Sequence, residues 1–425
     1  MSECEITKVL TVSKSVEKIL AILVTLTVII TRFDMVKGLW LNSFLLLLCI
    51  CLLCLYRKQT PRIPNGIKGY SKALTVYFLC IIPSILFSAK PFVSLLMFFF
   101  LLFQYGCFAG IILFIRHREY LVGMLSAFFV FSGFDCMLAL IQMLSGQGLT
   151  DRGTGFGGSL LCLADIMCML LPMTLVIIMD ARFETRLKKT AAFATLGIVM
   201  GLLGNKSRGA WLTEMLVVPI AIYQYVKKNR KYLIAVMMVT LCVVGYMISS
   251  PQYLQRIKSI TNITTDHSNA DRVWTWKSAK QMIQDHPILG VGFGQFGEVY
   301  KKQYKYEQET QTLIHTHNNF IQVAVESGIV GIAGFLYLVW YFLYTSLRSY
   351  RQQMNPYDLM IFTVFFAHVC VFGQIDYTFW GIGMQPFFLF LLAILLWLKE
   401  TDYHMQTTEE VMTCSSVLRR TDVDA

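Results

Sequence analysis

His315, Thr316, His317, Asn318 and Asn319 stand directly before an apolar run, Val323 to Tyr344, long enough to cross a bilayer. Polar side chains at such a mouth lose water unless a partner replaces it, so their types ask for an explanation. Two imidazoles two residues apart point the same way from an extended segment, which suits a metal ion. A zinc site needs a third protein ligand at a recognisable spacing, however, and the sequence shows none. Asn318 or Asn319 suits a helix N-cap, which accounts for an asparagine but not for the histidines. The third reading is a histidine at the rim of a cleft acting as general base, because imidazole titrates nearest to neutrality. The expectation is that one of these histidines is that base, with no metal and no cofactor.

Three arginines extend this chemistry. Arg208 lies in GNKSRGAWLTEML beside Lys206, Arg152 in DRGTGFGG, and Arg272 at the start of DRVWTWKSAKQMIQDHP. A guanidinium offers phosphate a planar fork of donors and a charge that does not titrate away. Converging from separate loops, the three would hold a diphosphate without a metal. Arg208 can equally be an interfacial anchor, and Arg152 can pair with Asp151 or cap the glycine-rich turn.

Asn319, Gln322 and Glu326 recur at helical spacing and make a polar stripe that should face a bundle interior. Glu326 there is either a structural hydrogen-bond acceptor or a group close to substrate. Asp135, Gln142, Asp165, Glu214 and His368 are expected to satisfy neighbours inside the bundle, whereas Asp376 lies near the outer end. GVGFGQFG contains Gly292, Gly294 and Gly297 in the spacing of a dinucleotide fingerprint. It has no strand and helix around it, so its glycines are expected to let the backbone turn tightly.

The elements that must position these groups are membrane helices. At 425 residues, 56% hydrophobic and 15% charged, with a mean hydropathy of +0.56, the chain is far more apolar than a soluble domain. Apolar runs near bilayer length recur along it, and twelve spans are expected at 16–31, 39–55, 73–89, 91–115, 120–144, 159–179, 190–204, 209–226, 232–248, 318–345, 359–375 and 380–398. This gives an all-α membrane protein with four parts: nine helices in residues 1–248, an extracytoplasmic loop at 249–317, three more helices in 318–398, and a cytoplasmic tail at 399–425.

With both termini inside, the cytoplasmic segments hold 23 of the 37 Lys and Arg, while the short outer loops hold six. The positive-inside rule favours that orientation. The long loop carries the remaining eight basic residues, and long segments translocate largely regardless of charge. The net charge of +11 therefore anchors topology and does not call for a nucleic-acid partner. Within the loop, Arg272, Trp276, Ala279 and Ile283 follow helical spacing until Pro287, which reads as a short amphipathic surface helix. Most of the twelve cysteines fall inside apolar runs and none in the long loop, so they should behave as small hydrophobes.

Taken jointly, these stretches resemble a known family. RGAWL at Arg208–Leu212 resembles the arginine-x-x-x-leucine signature of bacterial O-antigen ligases and related polysaccharide polymerases. Residues 271–296, DRVWTWKSAKQMIQDHPILGVGFGQF, look like that family's outer-loop block. HNNFIQVAVESGIVG, from His317 to Gly331, is similar to its HNxxLxxxxExGxxG block, and Arg152 falls in a loop resembling its earlier Arg-Gly-Phe turn. The blocks occur in the family's order across residues 150–331.

The resemblance implies a GT-C-like integral membrane glycosyltransferase, inverting and metal-independent, working on the outer face of the bacterial cytoplasmic membrane. Its donor would be a polyprenyl-diphosphate-linked glycan, and its acceptor a glycan, another lipid-linked unit or a lipid-A core. Arg208 and Arg272 would hold the diphosphate, and His317 would serve or orient the acceptor hydroxyl. Arg152, Trp276, Asn318, Glu326 and Asp376 are the groups expected around substrate. A transporter or flippase of lipid-linked oligosaccharides is the alternative from another class; it should depend on midplane groups instead.

Overall fold

The computed structural model describes residues 13–55, 63–148, 151–261, 267–309, 313–381 and 383–402. The described residues form helices and their connections, with no strands among them. In chain order these are α1 (Lys14–Phe33), α2 (Met35–Leu55), α3 (Asn65–Leu86), α4 (Pro91–Phe103), α5 (Gly106–Phe114), α6 (Arg118–Leu144), α7 (Leu160–Met179), α8 (Thr185–Asn205), α9 (Arg208–Lys228) and α10 (Arg230–Ser249). The long connection contributes α11 (Pro251–Lys258), α12 (His267–Asp285) and α13 (Phe296–Val299), and then α14 (Asn319–Gln353), α15 (Pro356–Phe365) and a last helix, α16, at 385–402 complete the bundle.

Eight of these helical segments are long and apolar enough to cross a membrane, or nine if α4 and α5, bent by 44° at their junction, are one span. The other three expected spans are helical too. α1 carries Lys14, Glu17, Lys18 and Arg32; Glu214, Pro219 and Gln224 dilute the apolarity of α9; and α16 begins just after position 382, which lies outside the described residues. The chain is thus an integral membrane protein of all-α class.

α7 and α16 form the middle of the bundle. Most of α7 is buried, and Phe387 to Leu398 of α16 are 7% exposed or less. α10, by contrast, buries none of its residues within the chain, so its apolar surface faces outward, as a lipid-facing helix would. Apolar residues on every side of a helix are what burial among other helices, or among lipid, allows.

α14 is kinked at Gly328, whose φ of 58° lies in the left-handed region. The kink has an identifiable cause: the stretch from Pro287 to Gly292 is threaded against it. Ile329 N–H donates to the Pro287 carbonyl at 2.9 Å, while Val291 and Gly292 donate to the Val325 and Glu326 carbonyls at 2.9 and 3.1 Å. The helix bonds broken at the kink are replaced by bonds to the loop. A β-carbon on Gly328 would collide with the Ile288 main chain, and one on Gly290 with the main chain of Val325 to Ser327, so the glycine-rich loop serves close backbone approach.

Around this contact a small second core forms from Ala279, Met282, Val291, Phe296, Tyr300 and Val325. It docks α12 and α13 onto the first turns of α14. The described part of the connection between α10 and α14 is therefore packed as a cap at one end of the bundle, and a helix, α12, lies where the sequence placed one.

Candidate functional site

Asn318 caps α14: its side-chain oxygen accepts from Phe320 N–H and Ile321 N–H at 2.9 and 3.0 Å, satisfying two of the helix's unpaired donors. Its amide also donates to Gln374 Oε1 at 2.8 Å. Asn319, one residue on, donates to the Val369 carbonyl and Thr378 Oγ1 at 3.1 and 3.0 Å and accepts from the Thr378 and Phe379 amides. Both asparagines grip the irregular stretch after α15, which passes through a π-helical turn at Phe366–Val371 and a tight turn at Phe372–Gln374. Such stretches expose backbone groups that a buried amide can satisfy.

That grip fixes Asp376 beside the histidines. His317 Nδ1 lies 2.7 Å from Asp376 Oδ1, and Tyr377 N–H donates to the same oxygen at 2.9 Å. Burial alone would raise this carboxyl. The hydrogen bond from His317 and the electrostatic pull of the two imidazoles hold it below its ordinary value. The carboxylate accepts, so the proton sits on His317 Nδ1 and the lone pair on Nε2.

His317 itself has φ 51°, an uncommon conformation for a residue with a β-carbon. His315 packs edge-on against it with ring centroids 4.2 Å apart, and accepts the His317 amide at 3.3 Å. Burial above all, then the neighbouring His317 and Arg272, pushes His315 down to about 4, against a smaller pull from Asp376. Arg272 therefore stands near this pair.

Arg208 is the first residue of α9, after the Ser207 cap. Its Nη1 donates to Ser259 O and Oγ, both at 2.8 Å, and its Nη2 reaches Asn269 Oδ1 at 3.4 Å. Asn269 lies one turn before Arg272 on α12, so Arg208 and Arg272 approach adjacent turns of one helix. Arg152 donates through Nε to the Asn205 carbonyl at 2.8 Å. Burial, then Arg256 and Arg208, pushes it down to about 10. Lys206, left-handed at φ 51°, donates to Gln252 Oε1 at 2.8 Å and is also lowered, by burial first and by Arg256 and Arg152.

Cations from three separate segments thus share one end of the bundle with His317. Asn269, which accepts from Arg208, and Arg256 are additions that the sequence reading missed. Both sit in the long loop without a motif around them, and only their helices' docking puts them beside Arg208.

The groups expected around substrate are divided. Arg152 faces the cationic group. Trp276 donates its indole N–H to the Thr316 carbonyl at 2.8 Å and steadies the histidine segment. Asn318 is occupied as a cap, and Asp376, 2% exposed, turns to His317. Glu326 is also interior: it accepts from Gln322 Nε2 at 3.0 Å and from Phe296 N–H at 3.3 Å, tying the glycine loop to α14. The polar atoms of these last four are engaged within the protein, where buried polar groups find partners.

Deeper in the bundle, His368 Nδ1 is 2.9 Å from Asp165 Oδ2 with both side chains fully buried, and Arg32 Nε is 2.6 Å from Asp135 Oδ2. Gln142 accepts from the Thr154 and Gly155 amides. Glu214 has no hydrogen-bond partner on either carboxyl oxygen.

Residues 192–336 match a family model described as O-antigen ligase. An O-antigen ligase of Salmonella typhimurium is 26% identical over 192 residues, 41% of this chain and 45% of that protein. A protein named putative polysaccharide ligase from Rickettsia conorii is 28% identical over 145 residues, 33% of this chain and 34% of its own length. The matches thus span a third to under a half of these relatives. The family-matched stretch contains Arg208, Arg272 and His317 but stops short of Asp376, whose place beside His317 comes from the fold. Over residues 192–336 this all-α membrane protein is similar to the O-antigen ligase family, and that stretch holds Arg208, Arg272 and His317.

Proposed function

We propose that the chain is a membrane glycosyltransferase that ligates or polymerises polyprenyl-diphosphate-linked glycans at the extracytoplasmic face of a bacterial cytoplasmic membrane. The observation that carries this reading is the His317–Asp376 pair standing at the same end of the bundle as Arg208 and Arg272. Its orientation follows the distribution of basic residues, which puts the α10–α14 connection outside and both termini inside.

Asp376 keeps the proton on His317 Nδ1, leaving Nε2 to take the proton of an acceptor hydroxyl. The freed oxygen attacks the anomeric carbon of the donor, the bond to the lipid diphosphate breaks, and configuration at that carbon inverts. Negative charge then grows on the leaving diphosphate. The Arg208 guanidinium, already oriented by Ser259 and Asn269, stabilises it together with Arg272 without reorganising, which is where electrostatic catalysis gains most. Arg152 and Lys206, crowded among like charges, add to the attraction for a polyanion.

The test is to replace Arg208, Arg272 and His317 singly by alanine, verify membrane insertion, and measure transfer of a lipid-linked glycan with chelator present. Loss of transfer in each variant, with the parent unaffected by chelator, is expected. Full activity in all three, or abolition of the parent's activity by chelator, overturns the scheme.

A further inference from the structure

His315 and His317 alone offer two imidazoles; the fold adds a carboxylate. Ligand atoms of His315, His317 and Asp376 all lie within 4.8 Å of one another, although Asp376 is 59 residues from His317 in sequence. We propose that these three side chains form a binding site for a divalent transition-metal ion of the zinc class, and that its occupation blocks His317 as a base. The blocking half rests on the function proposed above, whereas the binding half stands independently of it.

Two imidazoles and one carboxylate are a donor set that zinc and its neighbours favour, with a fourth position left for water. The groups can be reached from solution, since the side chains of His315 and His317 are 25% and 16% exposed while Asp376, at 3%, forms the floor. One carboxylate oxygen faces both rings: Asp376 Oδ1 lies 2.7 Å from His317 Nδ1 and 4.0 Å from His315 Nδ1.

If the ion enters between His317 Nδ1 and Asp376, the Nδ1 proton is released and Nε2 takes one up from solvent, so the neutral imidazole carries its N–H where the lone pair was. If the ion takes Nε2 instead, it occupies the lone pair that would receive the acceptor's proton. Either route removes the base. Arg272 nearby disfavours a second positive charge, which keeps the ion exchangeable.

The experiment uses the full chain in nanodiscs, titrated with Zn2+ alone against a chromophoric indicator and with Co2+ followed by its ligand-field absorption. One ion per chain should bind in the parent, and its affinity should fall at least tenfold in His315→Gln and in Asp376→Asn. Glutamine at 315 keeps an acceptor for the His317 amide, which protects the local fold. His286→Ala, at a histidine outside the cluster, should leave binding unchanged.

In parallel, the Zn2+ concentration that halves glycan transfer, referred to each variant's own metal-free rate, should rise at least tenfold in His315→Gln. Parental stoichiometry and affinity in both ligand variants overturn the site. Loss of binding in His315→Gln with unchanged Zn2+ sensitivity overturns the blocking half. Failure of the functional scheme would show separately, as an active His317→Ala variant, and would leave the metal titration readable.

Discussion

The molecule contains two aspartate–histidine pairs of nearly the same geometry in opposite surroundings. His317 and Asp376 are 2.7 Å apart at the rim, beside a second imidazole and within reach of a cationic cluster. His368 and Asp165 are 2.9 Å apart with both side chains fully buried, His368 stacked on Phe388 at 4.8 Å and its Nε2 without a hydrogen-bond partner. A base needs a path for its proton and a neighbour that rewards the charge it creates. Both pairs supply the neighbour, but the His317 side chain is 16% exposed, whereas His368 is closed in by the side chains that build the core. The difference teaches that an aspartate beside a histidine is a packing device or a reactive one according to what surrounds the second ring nitrogen.

That contrast can be broken most directly by exchanging the roles of the histidines. His317→Gln should lower the transfer rate by about 10²–10⁴-fold, the range for losing a positioned base, whereas His368→Gln should leave the rate per folded molecule near the parent's. Equal losses in both would erase the distinction. Arg208→Ala and Arg272→Ala should each cost about 10²–10³-fold in kcat, as for removal of a fixed donor from a developing anion. Lysine at either position should restore only part of this, because it lacks the forked geometry.

The inner pair should show itself in stability instead. Asp165→Asn is expected to destabilise the folded protein by about 1–3 kcal/mol through loss of a buried charge-assisted hydrogen bond, read as a lowered Tm in nanodiscs. Asn318→Ala should have the smallest effect, about 1 kcal/mol for a lost helix cap. Its transfer rate should fall only as far as His317 and Asp376 move apart, which the distance between them in a variant structure would check.

Much of the fold is legible from apolar spacing, because a bilayer admits few solutions for a run of about twenty apolar residues. Each of the twelve expected segments contains helix among its described residues, and eight or nine helical segments are long and apolar enough to span. The break between α4 and α5 and the kink of α14 were not legible. Nothing in VESGIV forces a helix to open at Gly328; the opening requires Pro287 and Ile288 to arrive and take over the freed amides. Likewise, the glycines of GVGFGQFG read correctly as turn-formers, but their partner on α14 could not be read from them.

For the site, residue types and local order were sufficient to single out Arg208, Arg272 and His317, since guanidinium and imidazole are few on the expected outer side and their chemistry is intrinsic to the side chain. Their partners were decided only in three dimensions. Asp376 meets His317 because Asn318 and Asn319 grip an irregular turn more than fifty residues away, and Arg208 meets α12 through Asn269 across 61 residues. Charge and hydropathy belong to the chain itself; which lone pair faces which proton depends on distances that only packing between remote segments can set.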